Sequence, residues 1–329
     1  MKKTLLFILL SLVCVNYSYS ANRFWVAGTG NWSDINHWSL TSGGVPGASV
    51  PLTADDAIFD ALSGLTAPSV VTLDVAVLIN TLDYSAVTTS FVFDSPIALN
   101  FELRGSIIGN PSGVLFTGVW PVIDMNTTLT GEDITSGGTI WIQDFDFTGE
   151  MLSLIDDFNI GNAAFSVDSG GVNMSGNNVI CGSFESVTTS TRTIDISNAN
   201  ITANLGIWNV DSTGLAWTSG GSEIFLGDNF GLGSFEGGSL IYDTLRSTSA
   251  TTLTYLDNNS FSLVDLLTSS IFVVNNGDTL YTDSLIAAGT CAAPLSIGVT
   301  GVGTNGIIVQ TGLTPFSLSG LSVNNVDAL

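Results

Sequence analysis

Cations are scarce in this chain. Its 329 residues carry six lysines and arginines against 29 aspartates and glutamates, for a net charge of −23 and a pI near 4.1. Affinity for phosphate backbones comes from clustered Lys and Arg, so nucleic acid is excluded as a partner. Histidine occurs once, at His37, and cysteine three times, so no Cys/His set is available for zinc. The phosphate-loop pattern Gly-x4-Gly-Lys-Ser/Thr does not occur. Glutamine is confined to Gln143 and Gln310. Helices are usually filled with Ala, Leu, Glu, Lys, Gln and Arg, and a chain this poor in the last four is not a helical one.

What is abundant points to strands and turns. Serine, threonine, asparagine and glycine make up 136 of the 329 residues, and 45% of the chain is hydrophobic, enough for a core and too much for wholesale disorder. The expectation is an all-β protein. Met1-Lys2-Lys3, an apolar run from Thr4 to Val15 and small residues at Ser18 and Ser20 read as a secretory signal peptide cleaved before Ala21. Domain boundaries follow as 1–20 signal peptide, 21–70 an N-terminal cap and 71–329 repeated coils. A lipidated Cys14 is the competing reading of the leader, opposed by Val13 where a small residue is usual. No later stretch reaches the roughly 20 apolar residues of a spanning helix, so membrane insertion is not expected. After cleavage four arginines face 29 acids, a charge of −25 that favours a dispersed monomer. Cys181 and Cys291 then remain, and export permits a disulfide between them without implying one.

Short apolar alternations recur between Gly, Asn, Asp and Ser turns. They begin at Val172, Ile194, Leu215, Leu240, Ile271 and Leu295, at separations of 22, 21, 25, 31 and 24 residues. A period in the twenties without helical punctuation is the mark of a solenoid whose coils bury their apolar faces by stacking. A right-handed parallel β-helix fits best. A sandwich or barrel would show more hairpin turns, and Asn276-Gly277 and Asn305-Gly306 are the only clear hairpin-type dipeptides. A solenoid needs a cap over its terminal coil. Trp25, Trp32 and Trp38, within fourteen residues, together with Gly43-Gly-Val-Pro-Gly47 and Ala54-Asp-Asp-Ala-Ile-Phe-Asp60, supply the expected one.

The string FWVAGTGNWSDINHWS, then GGVPG, then DDAIFD, resembles the opening of large, repeat-bearing, adhesin-like surface proteins of bacteria with type IX secretion. Leu78-Ile-Asn-Thr-Leu-Asp-Tyr84, Gly138-Thr-Ile-Trp-Ile-Gln143, the segment from Gly176 to Ser186, Thr191-Arg-Thr-Ile-Asp-Ile196 and Ile207-Trp-Asn-Val210 are similar to successive coils of that family. The resemblance covers nearly all of residues 24–329 and implies a β-helix displayed outside the cell. It also implies a closing segment after the last coil that Leu321 to Leu329 does not contain, so the expectation is a chain truncated at its C-terminus or part of a longer one. Asp211-Ser-Thr213, Asp243-Thr-Leu245, Asp278-Thr-Leu280 and Asp283-Ser-Leu285 resemble O-glycosylation acceptors of the same bacterial group.

Parallel β-helices also carry polysaccharide lyases and hydrolases. A lyase needs a base and cationic help for a developing carbanion, and the exported chain has no lysine and one histidine. His37, between two tryptophans, reads as a packing residue. A hydrolase needs two facing carboxylates, and Asp55-Asp56, Asp156-Asp157 and Asp144-Phe-Asp146 are the available pairs, against the plainer reading of solvated turns. Asp144 and Asp146 alternate with Phe145 and Phe147 and are the calcium candidates, calcium being the one ion expected in the absence of any other cofactor. Exposed aromatics stack on sugar faces, which makes Trp120, Trp141, Trp208 and Trp217 the glycan-binding candidates, with core packing as the competing reading. The functional expectation is therefore a non-catalytic, secreted or cell-surface display protein for extracellular glycans or another cell surface. A carbohydrate-active enzyme using paired aspartates is the alternative.

Overall fold

A computed structural model describes residues 20–328 except 112, 120–121, 228–231, 248–251, 268–270, 290–294, 300–305, 314–315 and 324–325. The signal-peptide reading, Cys14, Trp120 and Cys291 thus lie outside the described residues. Strands make up 54% of the chain and helix 1%, so the all-β expectation holds. The strands wind as a parallel β-helix of about ten turns.

Each early coil visits three sheets. The first holds ten strands, from Trp38–Ser39 at one end through Asn22–Trp25, Asp56–Asp60, Leu82–Ala86 and Gly170–Asn173 to Leu215–Thr218 at the other. The second begins with Gly30–Asn31, Val70–Thr72, Phe91–Ser95 and Val114–Gly118. The third runs through Val77–Ile79, Phe101–Leu103, Ile123–Met125, Phe145–Phe147 and Ala164–Val167. In Asn178–Ser186 and Asn200–Val210 one long strand turns the corner between the second and third sheets, with a register shift between Cys181 and Ser183. All pairings between coils are parallel, so every residue meets its equivalent one coil on.

Periodicity of two then sorts the side chains by face. In the third sheet Phe101, Ile123, Phe145, Phe165, Phe184, Trp208, Phe235 and Tyr255 stand in register and point inward, each buried. Neighbours in this column stack face to face, as Phe184 does on Trp208 with centroids 4.3 Å apart and Phe165 on Phe184 at 5.6 Å. A second inward column, Phe158, Val179, Ile201, Ile224, Leu245, Val264 and Leu285, fills the adjoining wall.

The N-terminal segment closes one end. Trp38–Ser39 pairs antiparallel with Asn22–Trp25, which puts a hairpin where another coil would otherwise be exposed. Trp25, Trp32 and Trp38 are at most 1% exposed and meet edge to face, with Phe59 beneath them. Their ring N–H groups are satisfied locally, Trp25 donating to the Gly28 carbonyl and Trp38 to that of Trp32. His37 lies flat on Trp25 at 4.8 Å, as its packing role required, and so close to Gly30 that any β-carbon there would strike the imidazole. The parallel stack already begins at Asn22–Trp25, on Asp56–Asp60, so coil pairing starts inside the segment 21–70.

Two details of the repeat differ from the sequence reading. Val172 pairs with Ile194 as the spacing predicts, but Ile194 pairs with Trp217 rather than Leu215, a slip of two residues that preserves the inward face. Ile271 and Leu295 belong to the third sheet rather than to the column of Val172, and in Ile271–Val274 the buried residues are Phe272 and Val274. Asn276-Gly277 turns a corner between Ile271–Val274 and Thr279–Ala288, which pair with other coils and not with each other, so it closes no hairpin. Among the described residues no helix is long and apolar enough to cross a membrane.

Candidate functional site

The outward residues of the third sheet form the most distinctive surface. One residue beyond the buried side chains of the first inward column stand Glu102, Asp124, Asp146, Ser166, Glu185, Asn209 and Glu236, in direct register from coil to coil. Parallel strands lie about 4.8 Å apart, so the carboxylates of Glu102, Asp124 and Asp146 sit on three consecutive rungs. Asp144, Asp168 and Asp211 flank this column two residues to either side. Eight carboxylates thus share one face with a single arginine, Arg104, whose Nε bonds Glu102 at 3.1 Å.

The partners are uneven. Thr148 donates to Asp124 at 3.0 Å, Asn126 to Glu102 at 3.3 Å and Ser183 to Glu185 at 2.9 Å. Among the described residues Asp146 has no such donor, and its Oδ1 is buried without a hydrogen-bond partner. Burial, then the charges of Asp168 and Asp124, push the Asp146 carboxyl up to about 6. Burial, followed by Glu102, raises Asp124 despite the Thr148 bond, and burial followed by Asp257, Asp211 and Asp278 raises Glu236. Desolvation and like charge both disfavour the ionised form, so these shifts report carboxylates without an internal counter-charge.

Two depressions open on this face. One of about 230 Å³ is lined by Glu102, Asp124, Asp146 and Val122. A larger one of about 460 Å³ lies between Asn209, Asp211, Ser212, Glu236, Ser239 and Asp257. In the second, the Thr213 main-chain N–H and hydroxyl hold Asp211 below the usual carboxylate range, while Glu236 is raised.

The candidates from sequence fare differently. Asp146 lies in the acidic row and Asp144 at its flank, where it accepts the Ala164 N–H at 2.7 Å and lines a separate depression. Among the described residues no three His, Cys, Asp or Glu side chains converge to hold a metal, so the pair is not gathered into a calcium cage. Trp141 and Trp208 are corrections. Both are wholly buried, Trp141 between Phe116 and Phe145 and Trp208 between Phe184 and Phe235, where no sugar can reach them. Both point inward, because strand alternation turns their neighbours Ile140, Ile142, Ile207 and Asn209 away from the core and the tryptophans into it. Trp217 is half-buried against Tyr242 and spends its ring N–H on the Ile241 carbonyl at 2.9 Å.

The other paired aspartates are structural. Asp55 is buried, bonds the Leu52 N–H and meets Arg23 at 3.5 Å, while Asp56 receives Asn80 and the Thr81 N–H. Asp156 accepts the N–H groups of Ser136 and Gly137, and Asp157 those of Asn178. Cys181 is a buried free thiol whose surroundings push it up to about 12, matching the small-hydrophobe reading. The sequence reading missed Glu102, Asp124, Glu185 and Glu236 as one set, because they are spread over 135 residues and only register brings them together. The signal was their position one residue after a buried apolar side chain, in the Phe-Glu steps at 101, 184 and 235 and the Ile-Asp step at 123. The chain matches no protein family model, no curated protein and no solved structure.

Proposed function

We propose that this chain is a non-catalytic display solenoid, exported to the cell surface or beyond, which presents its long third-sheet face to glycans or another surface. The carrying observation is the register itself. It repeats the same outward positions on successive rungs, so weak contacts of one kind can add along the face by multivalency. The leader-like segment from Met1 to Ser20 supports export, and the resemblance of the cap and coils to adhesin-like surface proteins supports display. The commitment of Asp55, Asp56, Asp156 and Asp157 to main-chain and side-chain hydrogen bonds also favours a structural use of the paired acids.

One observation favours the alternative of a carbohydrate-active enzyme. Glu236 and Asp211 line the same depression with carboxyls displaced in opposite directions, as an acid and a base are in glycoside hydrolysis. A panel of acidic and neutral polysaccharides, incubated with the purified protein in calcium and in chelator, separates the two readings. Display predicts retention without new chain ends. Released ends that vanish in Glu236→Gln would replace it with the enzyme.

A further inference from the structure

The first sheet stops before the solenoid does. Its last strand, Leu215–Thr218, pairs in parallel with Arg192–Asp195 and meets no further strand among the described residues, although the second and third sheets continue through later coils. The cause is a shortened coil. Residues 211–222 separate Asn200–Val210 from Glu223–Leu226, a length that holds a first-sheet strand, whereas only residues 237–240 separate Leu232–Glu236 from Ile241–Ser247. The opposite end of the same sheet is guarded. There the Trp38 carbonyl accepts the N–H groups of Gly47 and Ala48, and the Trp38 ring is wholly buried. In the inward column Leu152, Val172, Ile194 and Trp217, the first three are buried and Trp217, the last, is only half-buried.

Strand alternation fixes what this edge offers. The carbonyls of Gly214 and Thr218 accept the N–H groups of Arg192 and Ile196, so the even-numbered residues face the sheet. The Leu215 carbonyl and both main-chain groups of Trp217 therefore face the other way, toward the place of a next strand. A depression lies in line with that place. It is the one of about 460 Å³, walled by Asp211 and Ser212 of the last full coil and by Glu236, Gly238, Ser239 and Asp257 of the two that follow. Asp211 and Ser212 precede Leu215 by four and three residues, so a strand added in parallel along Leu215–Thr218 has its leading residues in this space. Among the described residues no cation lines it. Burial, then Asp257 and Asp211, raise the Glu236 carboxyl there, a state that a cationic side chain relieves. A second copy of this chain brings a net charge of −23 of its own, which speaks for a different polypeptide.

We propose that the Leu215–Thr218 edge takes an extended segment of another polypeptide as an eleventh strand of the first sheet, with a lysine or arginine leading it into the adjoining depression. Main-chain hydrogen bonds give such strand addition its affinity, and side chains at alternate positions give it selectivity. Inward positions of the added strand lie beside Leu215 and Trp217 and call for apolar residues, while outward positions lie beside the exposed Ala216 and Thr218 and call for polar ones. The edge belongs to a different sheet from the display face, so this goes beyond that reading.

The test titrates the purified protein into a fluorescent peptide of sequence Lys-Ser-Gly-Val-Thr-Val-Thr-Gly, read by anisotropy. In the parallel register that sets the valines opposite Leu215 and Trp217, the threonine main-chain groups meet the edge and those of the valines face water. Saturable binding is expected, together with slower hydrogen exchange in Leu215–Thr218. Binding should weaken about tenfold when both threonines are N-methylated, stay within about twofold when both valines are, and weaken about threefold when norleucine replaces the lysine. All three changes are made in the peptide, so none puts the fold of the protein at risk. Absence of binding, equal losses from the two N-methylated peptides, or equal binding of the lysine and norleucine peptides would overturn the proposal. So would a dimer in analytical ultracentrifugation that the peptide dissociates, since it would give the edge to a second copy.

Discussion

Arg192 shows how one side chain can fix a corner of the coil. Its guanidinium gathers the Ser186 hydroxyl and four carbonyl oxygens from the equivalent turns of two successive coils, and it has no carboxylate ligand. Carbonyls buried at a corner carry a large desolvation cost when unpaired, roughly 1–3 kcal/mol each. Arg192→Ala should therefore lower stability by about 3–5 kcal/mol, measured by urea unfolding, and Arg192→Lys should recover little because a point ammonium cannot span the planar fork. Asp146 makes the opposite kind of statement. Its folded carboxyl stands near 6, above the ordinary value of 3.8, so the folded state holds a proton that the unfolded chain releases. Stability is gained as pH falls from about 6 toward 4 and lost as pH rises back through that window. Asp157, lowered by the Asn178 side chain and N–H, and Asp211, lowered by Thr213, work the other way and lose their contribution as pH falls through their own lowered values. Urea midpoints should thus rise between pH 7 and pH 5 and then decline in stronger acid, and Asp146→Asn should flatten the first part of that curve.

At the scale of the element, the cap and the aromatic columns carry the order of the stack. A solenoid coil contacts only its neighbours, so damage stays local. Trp38→Ala removes a fully buried ring that touches Trp25, Trp32 and Phe59, a change that costs about 3–5 kcal/mol in a packed core. Hydrogen exchange should then accelerate in the strands Asn22–Trp25, Asp56–Asp60 and Leu82–Ala86 while Thr252–Leu256 keeps its protection. The cap and the coil period were legible because both are local: three tryptophans in one short segment, and alternations returning every twenty-odd residues. Register was not. Ile194 could meet Leu215 or Trp217 on the same parity, and it meets Trp217, whose ring packs against Tyr242 of the next coil. The same blindness misplaced the sugar-binding tryptophans. Trp141 and Trp208 have polar residues nearby in sequence, yet alternation turns their direct neighbours, Ile140, Ile142, Ile207 and Asn209, outward and the rings inward. The acidic face was invisible for a related reason, since Glu102, Asp124 and Asp146 become one row only after two coil lengths have been set.

At the scale of the whole molecule, the charge of −23 includes carboxylates that the coil register sets in a row, and that row predicts how salt acts. Rungs of carboxylate about 4.8 Å apart repel within a Debye length, which is about 10 Å at 0.1 M salt and about 3 Å at 1 M. Added sodium chloride should therefore relieve the third-sheet row first and raise the melting temperature of the parent protein. Asp124→Asn/Asp146→Asn/Glu236→Gln removes three uncompensated members of that face, so it should melt higher than the parent at low salt and gain less from added salt. Asp83→Asn/Asp133→Asn/Asp195→Asn takes the same number of charges from the first sheet, where Asp83 and Asp195 hold the N–H groups of Ser85 and Ser197. It should melt no higher than the parent and keep the parent's response to salt. Differential scanning calorimetry of the three proteins across a salt series checks this. Equal salt responses in both variants would mean that the repulsion belongs to the net charge of the molecule. Unequal ones locate it in the row of rungs that the coil register builds.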